Sequence, residues 1–237
     1  MAVQLDVIGS SPAWPNPGGA CSGYLVDGRL LLDCGPGVLA RLREREPWPT
    51  VEAIAITHLH LDHWGDLIPW VWANLYGPGR QGVRLWLPPG AGDALRPTLA
   101  QLGNEDMFER AFQVEEYASG RPFSIDGLRV TAEPVVHYDI EAHAFRVEGG
   151  HVLTYSGDTA PCEALDRLAH DADLFVCEAT LEHGEDEGDL RGHLSADEAI
   201  ATAERAGVKR LLLTHRPQER SRPNGYDLAF DGLTTAV

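Results

Sequence analysis

The sequence predicts an α/β protein in which two mixed β-sheets pack face to face with helices outside. Three observations carry this. Apolar strand-like runs come in groups, with helical segments between the groups rather than after every strand, as layered sheets require. The 237 residues, 43% of them apolar, suffice to bury a substantial core. No linker, repeat or low-complexity segment divides the chain, so residues 1–237 read as one domain.

Element by element, apolar or alternating runs place strands near 3–9, 22–26 and 29–33, a helix near 37–46 and a strand near 52–56. A polar loop follows, then a helix starting near Asp62 or Gly65 and reaching Tyr76 in spite of Pro69. A strand near 83–87 and helical material near 92–102 come next. Strands near 111–115, 121–125, 127–136, 143–148 and 151–156 form the longest run. The chain closes with a helix near 161–169, a strand near 173–178, a helix near 195–206 with Ser195 as its N-cap, and a strand near 210–214. On that last helix Asp197, Glu198 and Glu204 read as a solvated face.

Charge and cysteine usage exclude several classes. The formal net charge is −17, and Lys209 is the single lysine beside 18 arginines. Such a chain shows no basic stripe to hold a phosphate backbone, so no long nucleic-acid partner is expected. The first residues lack the basic and apolar regions of a signal peptide, and no apolar run reaches the ~18 residues of a membrane span. Cys21, Cys34, Cys162 and Cys177 are widely spaced, with Cys34 and Cys177 beside apolar runs. A reduced, cytoplasmic protein with buried thiols is the expectation.

The chemistry concentrates in His58-Leu59-His60-Leu61-Asp62-His63, directly after the strand-like Ala53-Ile54-Ala55-Ile56. Imidazole and carboxylate donors at this density suit Zn²⁺ and neighbouring first-row ions. In an extended loop alternate residues face different sides. His58 and His60 then serve one ion, and Asp62 and His63 a second.

This segment resembles the H-x-H-x-D-H signature of the metallo-β-lactamase superfamily. Further pieces follow in the family's order at strand ends: His137 after residues 128–136, Gly157-Asp158-Thr159 after 153–156, and His215 after 211–214. The resemblance spans nearly the whole chain and implies an αββα sandwich with metals at one edge. It implies His58, His60 and His137 on the first ion, Asp62, His63 and His215 on the second, and Asp158 bridging. His63 with His215 favours a dinuclear centre, with Zn²⁺ foremost and Mn²⁺ or Fe²⁺ compatible with the same ligands. His143, inside a strand-like run, is the rival to His137 and is expected not to be a ligand.

Cys177-Glu178-Ala179-Thr180 and Gly192-His193-Leu194-Ser195 resemble motifs of the RNase Z-like branch, with Cys177 replacing that branch's histidine. By that resemblance His193 donates a proton to the leaving oxygen and Glu178 orients it, completing with Asp62 the catalytic set. RNase Z enzymes carry a long tRNA-gripping insertion where this chain has only residues 138–157. The shortened pattern is similar to small phosphodiesterases acting on cyclic nucleotides. The expected activity is therefore cleavage of small phosphodiesters such as 3′,5′-cyclic nucleotides by a hydroxide held between two cations. The alternatives are tRNA 3′-processing, lactonase or thioesterase chemistry on the same metals, or a non-catalytic binding protein.

Asp62 and Asp158 do not cancel two divalent charges, so a small anionic substrate fits a cationic hole in an acidic surface. Trp64 is placed to stack on a base or to pack in the core. Trp70, Trp72 and Tyr76 point to core or homodimer packing. Arg216 reads as a phosphate contact or a surface ion pair. Residues 183–189 read as a mobile acidic loop, with a ligand-gating lid as the alternative.

Overall fold

The computed structural model describes residues 3–80 and 82–237. In chain order it contains β1 (Gln4–Gly9), β2 (Gly23–Val26), β3 (Leu30–Leu32), α1 (Val38–Arg45), β4 (Ala53–Ala55), α2 (Leu61–Trp64), α3 (Leu67–Tyr76), β5 (Arg84–Leu87), α4 (Ala91–Gln101), α5 (Met107–Ala111) and β6 (Gln113–Glu116). The second half contains β7 (Phe123–Ile125), β8 (Leu128–Pro134), β9 (His143–Glu148), β10 (Val152–Tyr155), α6 (Glu163–Leu168), β11 (Leu174–Glu178), a 3₁₀ turn (Gly184–Asp186), α7 (Ala196–Ala206), β12 (Leu211–Thr214), β13 (Asp227–Leu228) and β14 (Thr234–Ala236).

The strands form two seven-stranded sheets, ordered β14-β1-β2-β3-β4-β5-β6 and β13-β12-β11-β10-β9-β8-β7. Both mix parallel and antiparallel pairs. Strand periodicity sorts the side chains. Leu30 and Leu32 enter the layer between the sheets with Leu5, Tyr24, Phe145, Leu153 and Val176. Leu31 points outward with Ile54 and Leu85, against Leu42, Trp70 and Leu95 of α1, α3 and α4. On the other side Phe175 and Leu213 pack against Leu165, Ala199 and Ala203 of α6 and α7. The result is the αββα sandwich of the metallo-β-lactamase fold. Each fully buried leucine contributes about 1.5–3 kcal/mol relative to exposure.

The segment after the metal motif is two helices rather than the single one expected. The Asp66 carboxylate accepts a hydrogen bond from Leu39 N–H at 2.8 Å, and Gly65 lies against the Pro36 ring, so the chain steps sideways between α2 and α3. Pro69 falls in the first turn of α3, where its missing N–H is not needed. Residues 107–116 form a short helix and then a strand, where sequence placed only a strand. Strands β13 and β14 lie at sheet edges, half-buried or exposed, without an apolar alternation to reveal them.

Several side chains take the plainer of their expected roles, or a different one. Trp64 is 6% exposed, donates Nε1–H to Leu59 O at 3.0 Å and meets Phe108 edge-on, so it is not a free platform for a base. Trp70 is core, whereas Trp72 and Tyr76 are exposed and stacked on one another. Arg216 is buried and spends its guanidinium on Ala179 O, Leu181 O, Ser221 O and Glu182, which makes it a strut rather than a phosphate contact or surface pair. Ser195 caps α7, but Glu198 is not simply solvated: it closes the capping box and pairs with Arg191 at 2.8 Å. No described helix is long and apolar enough to cross a membrane.

Candidate active site

Parallel pairing decides where the polar residues gather. Strands β10, β11 and β12 run parallel, and β8 runs the same way because it and β10 are both antiparallel to β9. Their carboxyl ends therefore share one edge and deliver His137, Asp158, Glu178 and His215 together. Across the sandwich, β3 and β4 end in Asp33 and in Thr57-His58. Gly35 lets the two loops touch: a β-carbon there would meet Asp62 O at 1.9 Å. At this edge Asp33, Tyr138 and His215 hold positive φ of 60°, 51° and 54°, a backbone that side chains rarely adopt.

The structure brings together all nine residues singled out as ligands or catalytic groups. His58, His60 and His137 form one group, and Asp62, His63, Asp158 and His215 another, each with its donor atoms within 4.8 Å of one another. His137 Nε2 is 2.9 Å from His60 Nδ1. His63 Nε2 lies 3.3 Å from Asp62 and 3.2 Å from Asp158, and His215 Nε2 lies 3.2 Å from Asp62. Asp158 stands between the groups, 3.9 Å from His58, 4.0 Å from His137 and 3.6 Å from His215. His143 stays outside. It is buried and bonded to Ser119 Oγ at 3.0 Å.

On four of the five rings the outward nitrogen is engaged, which sets their tautomers. His63 Nδ1 donates to Asp33 Oδ2 at 2.7 Å and His137 Nδ1 to Gly192 O at 2.6 Å. Thr57 Oγ1 donates to Asp33, so its oxygen accepts from His58 Nδ1 at 3.1 Å. Thr180 Oγ1 likewise donates to Glu178 Oε2 and accepts from His215 Nδ1 at 2.9 Å. Four Nε2 lone pairs thus face inward. Buried His58 Nε2, His63 Nε2 and Asp158 Oδ1 have no hydrogen-bond partner among the described residues. Unpaired buried polar atoms are costly, and a cation between them removes the cost.

Electrostatics favour neutral rings in the first group. Burial holds His58 well below the ordinary histidine range, and the same cause lowers His60 and His137, so these rings are the neutral bases a metal needs. Burial opposes charge on Asp62 and Asp158 too, but the His215 and His63 rings outweigh it and keep both carboxylates ionised. On His63 burial is overcome by Asp158 and Asp33, which raise its pKa well above normal, so at this ring a cation has to displace a proton from Nε2.

Beside the cluster, His193 Nδ1 donates to Glu178 Oε1 at 2.9 Å and lies 3.9 Å from Asp158 Oδ2. Burial disfavours its charge, yet Glu178 raises its pKa to about 9. Glu178 is 1% exposed and also accepts Thr159 N–H and Thr180 N–H, so one carboxylate braces the Asp158 turn, His193 and, through Thr180, His215.

Residues the sequence did not single out complete the site. Asp33 carries His63, Thr57 and the Tyr155 hydroxyl; its strand-end position after Leu30-Leu31-Leu32 was the available signal. Glu187 accepts from Tyr138 OH at 2.6 Å, Gly192 N at 2.8 Å and His193 N at 3.1 Å. The acidic segment is therefore tied to His193 instead of hanging free. Gly192 is required there, because a β-carbon would come within 2.5 Å of the Tyr138 ring.

Fold and cluster together define a metal-dependent hydrolase. The chain belongs to the Beta-lactamase superfamily domain family, whose model matches residues 28–216. It is similar to an uncharacterised protein of Mycobacterium tuberculosis, 35% identical over all of this chain and 90% of that one. It is also similar to the Ribonuclease Z of Mycobacterium bovis, 30% identical over 90% of this chain and 85% of that one. Among solved structures, the metallo-β-lactamase fold protein YhfI from Bacillus subtilis superposes with a TM-score of 0.86 at 24% identity, covering 99% of this chain and 100% of that one. These relatives support an RNase Z-like branch.

Proposed function

We propose that the chain is a phosphodiesterase that hydrolyses small phosphodiesters such as 3′,5′-cyclic nucleotides. The observation that carries this reading is the Glu178–His193 pair placed 3.9 Å from Asp158, which sets a proton donor against a cluster built for cations. His58, His60 and His137 would hold one divalent ion, Asp62, His63 and His215 a second, and Asp158 would serve both. That His58 Nε2, His63 Nε2 and Asp158 Oδ1 find no hydrogen-bond partner among the described residues supports that assignment. The donor set suits Zn²⁺, and Mn²⁺ or Fe²⁺ suit the same atoms. Bound there, the ions supply Lewis-acid activation of water and positive charge for a phosphoryl group.

The protein's own residues do the rest. Asp33, Thr57 and Thr180 hold the imidazoles in one tautomer. Glu178 stabilises the protonated His193 ring through Nδ1, leaving Nε2 to give its proton to the departing ribose oxygen. His193→Ala should lower kcat on 3′,5′-cyclic AMP by roughly 10²–10⁴ while the metals stay bound. A p-nitrophenolate leaving group needs no proton and should suffer less. Equal losses on both substrates would remove His193 from the acid role.

A second reading, tRNA 3′-processing, is favoured by the Ribonuclease Z relative. Against it stand the net charge of −17 and a segment 138–157 that holds only the β9–β10 hairpin and its approach.

A further inference from the structure

Next to the metal-ligand cluster lies a cavity of about 330 Å³. Its walls include His60, Pro88 and Pro89 after β5, Ala94 on the first turn of α4, and Ile140 and Glu141 before β9. Apart from His60 and Glu141 the lining is apolar or glycine. Because His60 belongs to both the cluster and this wall, a substrate whose phosphate reaches the cluster extends naturally into the cavity.

The lining indicates what part of a substrate enters. No lysine or arginine lines it, and Glu141 adds a negative charge, so a second phosphate is repelled. A neutral group is admitted, of a size at the lower end of small-ligand pockets, which suits a base with part of its sugar. Pro88 and Pro89 offer flat apolar surface. Glu141 is an acceptor only, so it asks for N–H donors. An acyl chain has none. Guanine presents N1–H and N2–H side by side, matching two carboxylate oxygens, whereas adenine offers only its N6 amino group on that edge. The cavity is also braced: Glu116 accepts Gly90 N–H and Gly92 N–H, each at 3.0 Å, fixing the turn after Pro89, and His143 Nε2 stands 3.4 Å from Glu141.

We propose that this cavity is the base subsite and takes a purine, guanine in preference to adenine, with Glu141 accepting its N–H edge. The proposal rests on the phosphodiesterase reading for the place of the phosphate. It is tested on the metal-loaded protein with 3′,5′-cyclic GMP, 3′,5′-cyclic AMP and the base-free ribose 3′,5′-cyclic phosphate. Guanine should raise kcat/KM by about tenfold or more over the base-free ring. Ala94→Phe, which fills the cavity from an exposed helix position, should erase most of that ratio. Glu141→Gln should bring cyclic GMP and cyclic AMP close to parity. An unchanged ratio in Ala94→Phe, or equal losses on the base-free ring, would overturn the subsite while leaving the phosphodiesterase reading in place. If no cyclic phosphodiester is turned over, that reading falls, and calorimetry with guanosine still decides the cavity. Binding lost in Ala94→Phe supports the subsite; absence of binding to the unaltered protein overturns it.

Discussion

At the residue scale the site is an argument about lone pairs. Asp158 lies within 4.0 Å of ring nitrogens from both groups of donors, so Asp158→Ala should lower metal content at both positions. Elemental analysis checks it, and an intact metal complement would end the bridging role. His137 and His143 make a sharper pair, since both follow or sit in strands of similar composition. His137→Ala should lose metal or most activity, while His143→Gln should keep the metals. Sequence could not separate them by pattern; the structure does so by aim, with His137 Nε2 at His60 and His143 Nε2 at Ser119. His143 also predicts a pH effect. Burial lowers its pKa to about 4, so the unfolded chain binds the extra proton first. Its stabilising contribution is complete above pH ~6.5 and is lost as pH falls toward 4. His143→Gln should flatten acid destabilisation in that window by about 1–3 kcal/mol, measured by urea unfolding at several pH values. A curve identical to the parent would refute the buried neutral ring.

At the element scale, the strands that carry the candidate ligands were legible because each is a short apolar run ending in a polar residue. The break between α2 and α3 was not, because it depends on Asp66 reaching Leu39 N–H, a contact across many residues. The acidic segment was misleading for a related reason. Its charges look solvated in sequence, yet Glu187 turns inward to three donors on Tyr138, Gly192 and His193. Glu187→Ala should therefore lower kcat on a cyclic nucleotide by about tenfold, as lost outer support commonly does. The loss should be smaller on bis(p-nitrophenyl) phosphate, because the clasp acts through His193. If both substrates lose equally, the segment merely stabilises the fold.

At the scale of the whole molecule, the two-sheet architecture follows from strands arriving in groups, and the active edge follows from parallel pairing of β10, β11 and β12. Edge strands β13 and β14 leave no apolar pattern in the sequence because so little of them is buried. A surface with net charge −17 repels a long polyanion, while a local set of imidazoles around two carboxylates is made to concentrate cations. The most direct measurement is turnover of 3′,5′-cyclic nucleotides and of precursor tRNA by the same metal-loaded preparation, at matched salt. Hydrolysis of the cyclic nucleotide with little cleavage of the tRNA is the predicted result. Efficient tRNA processing with no cyclic-nucleotide turnover would contradict it.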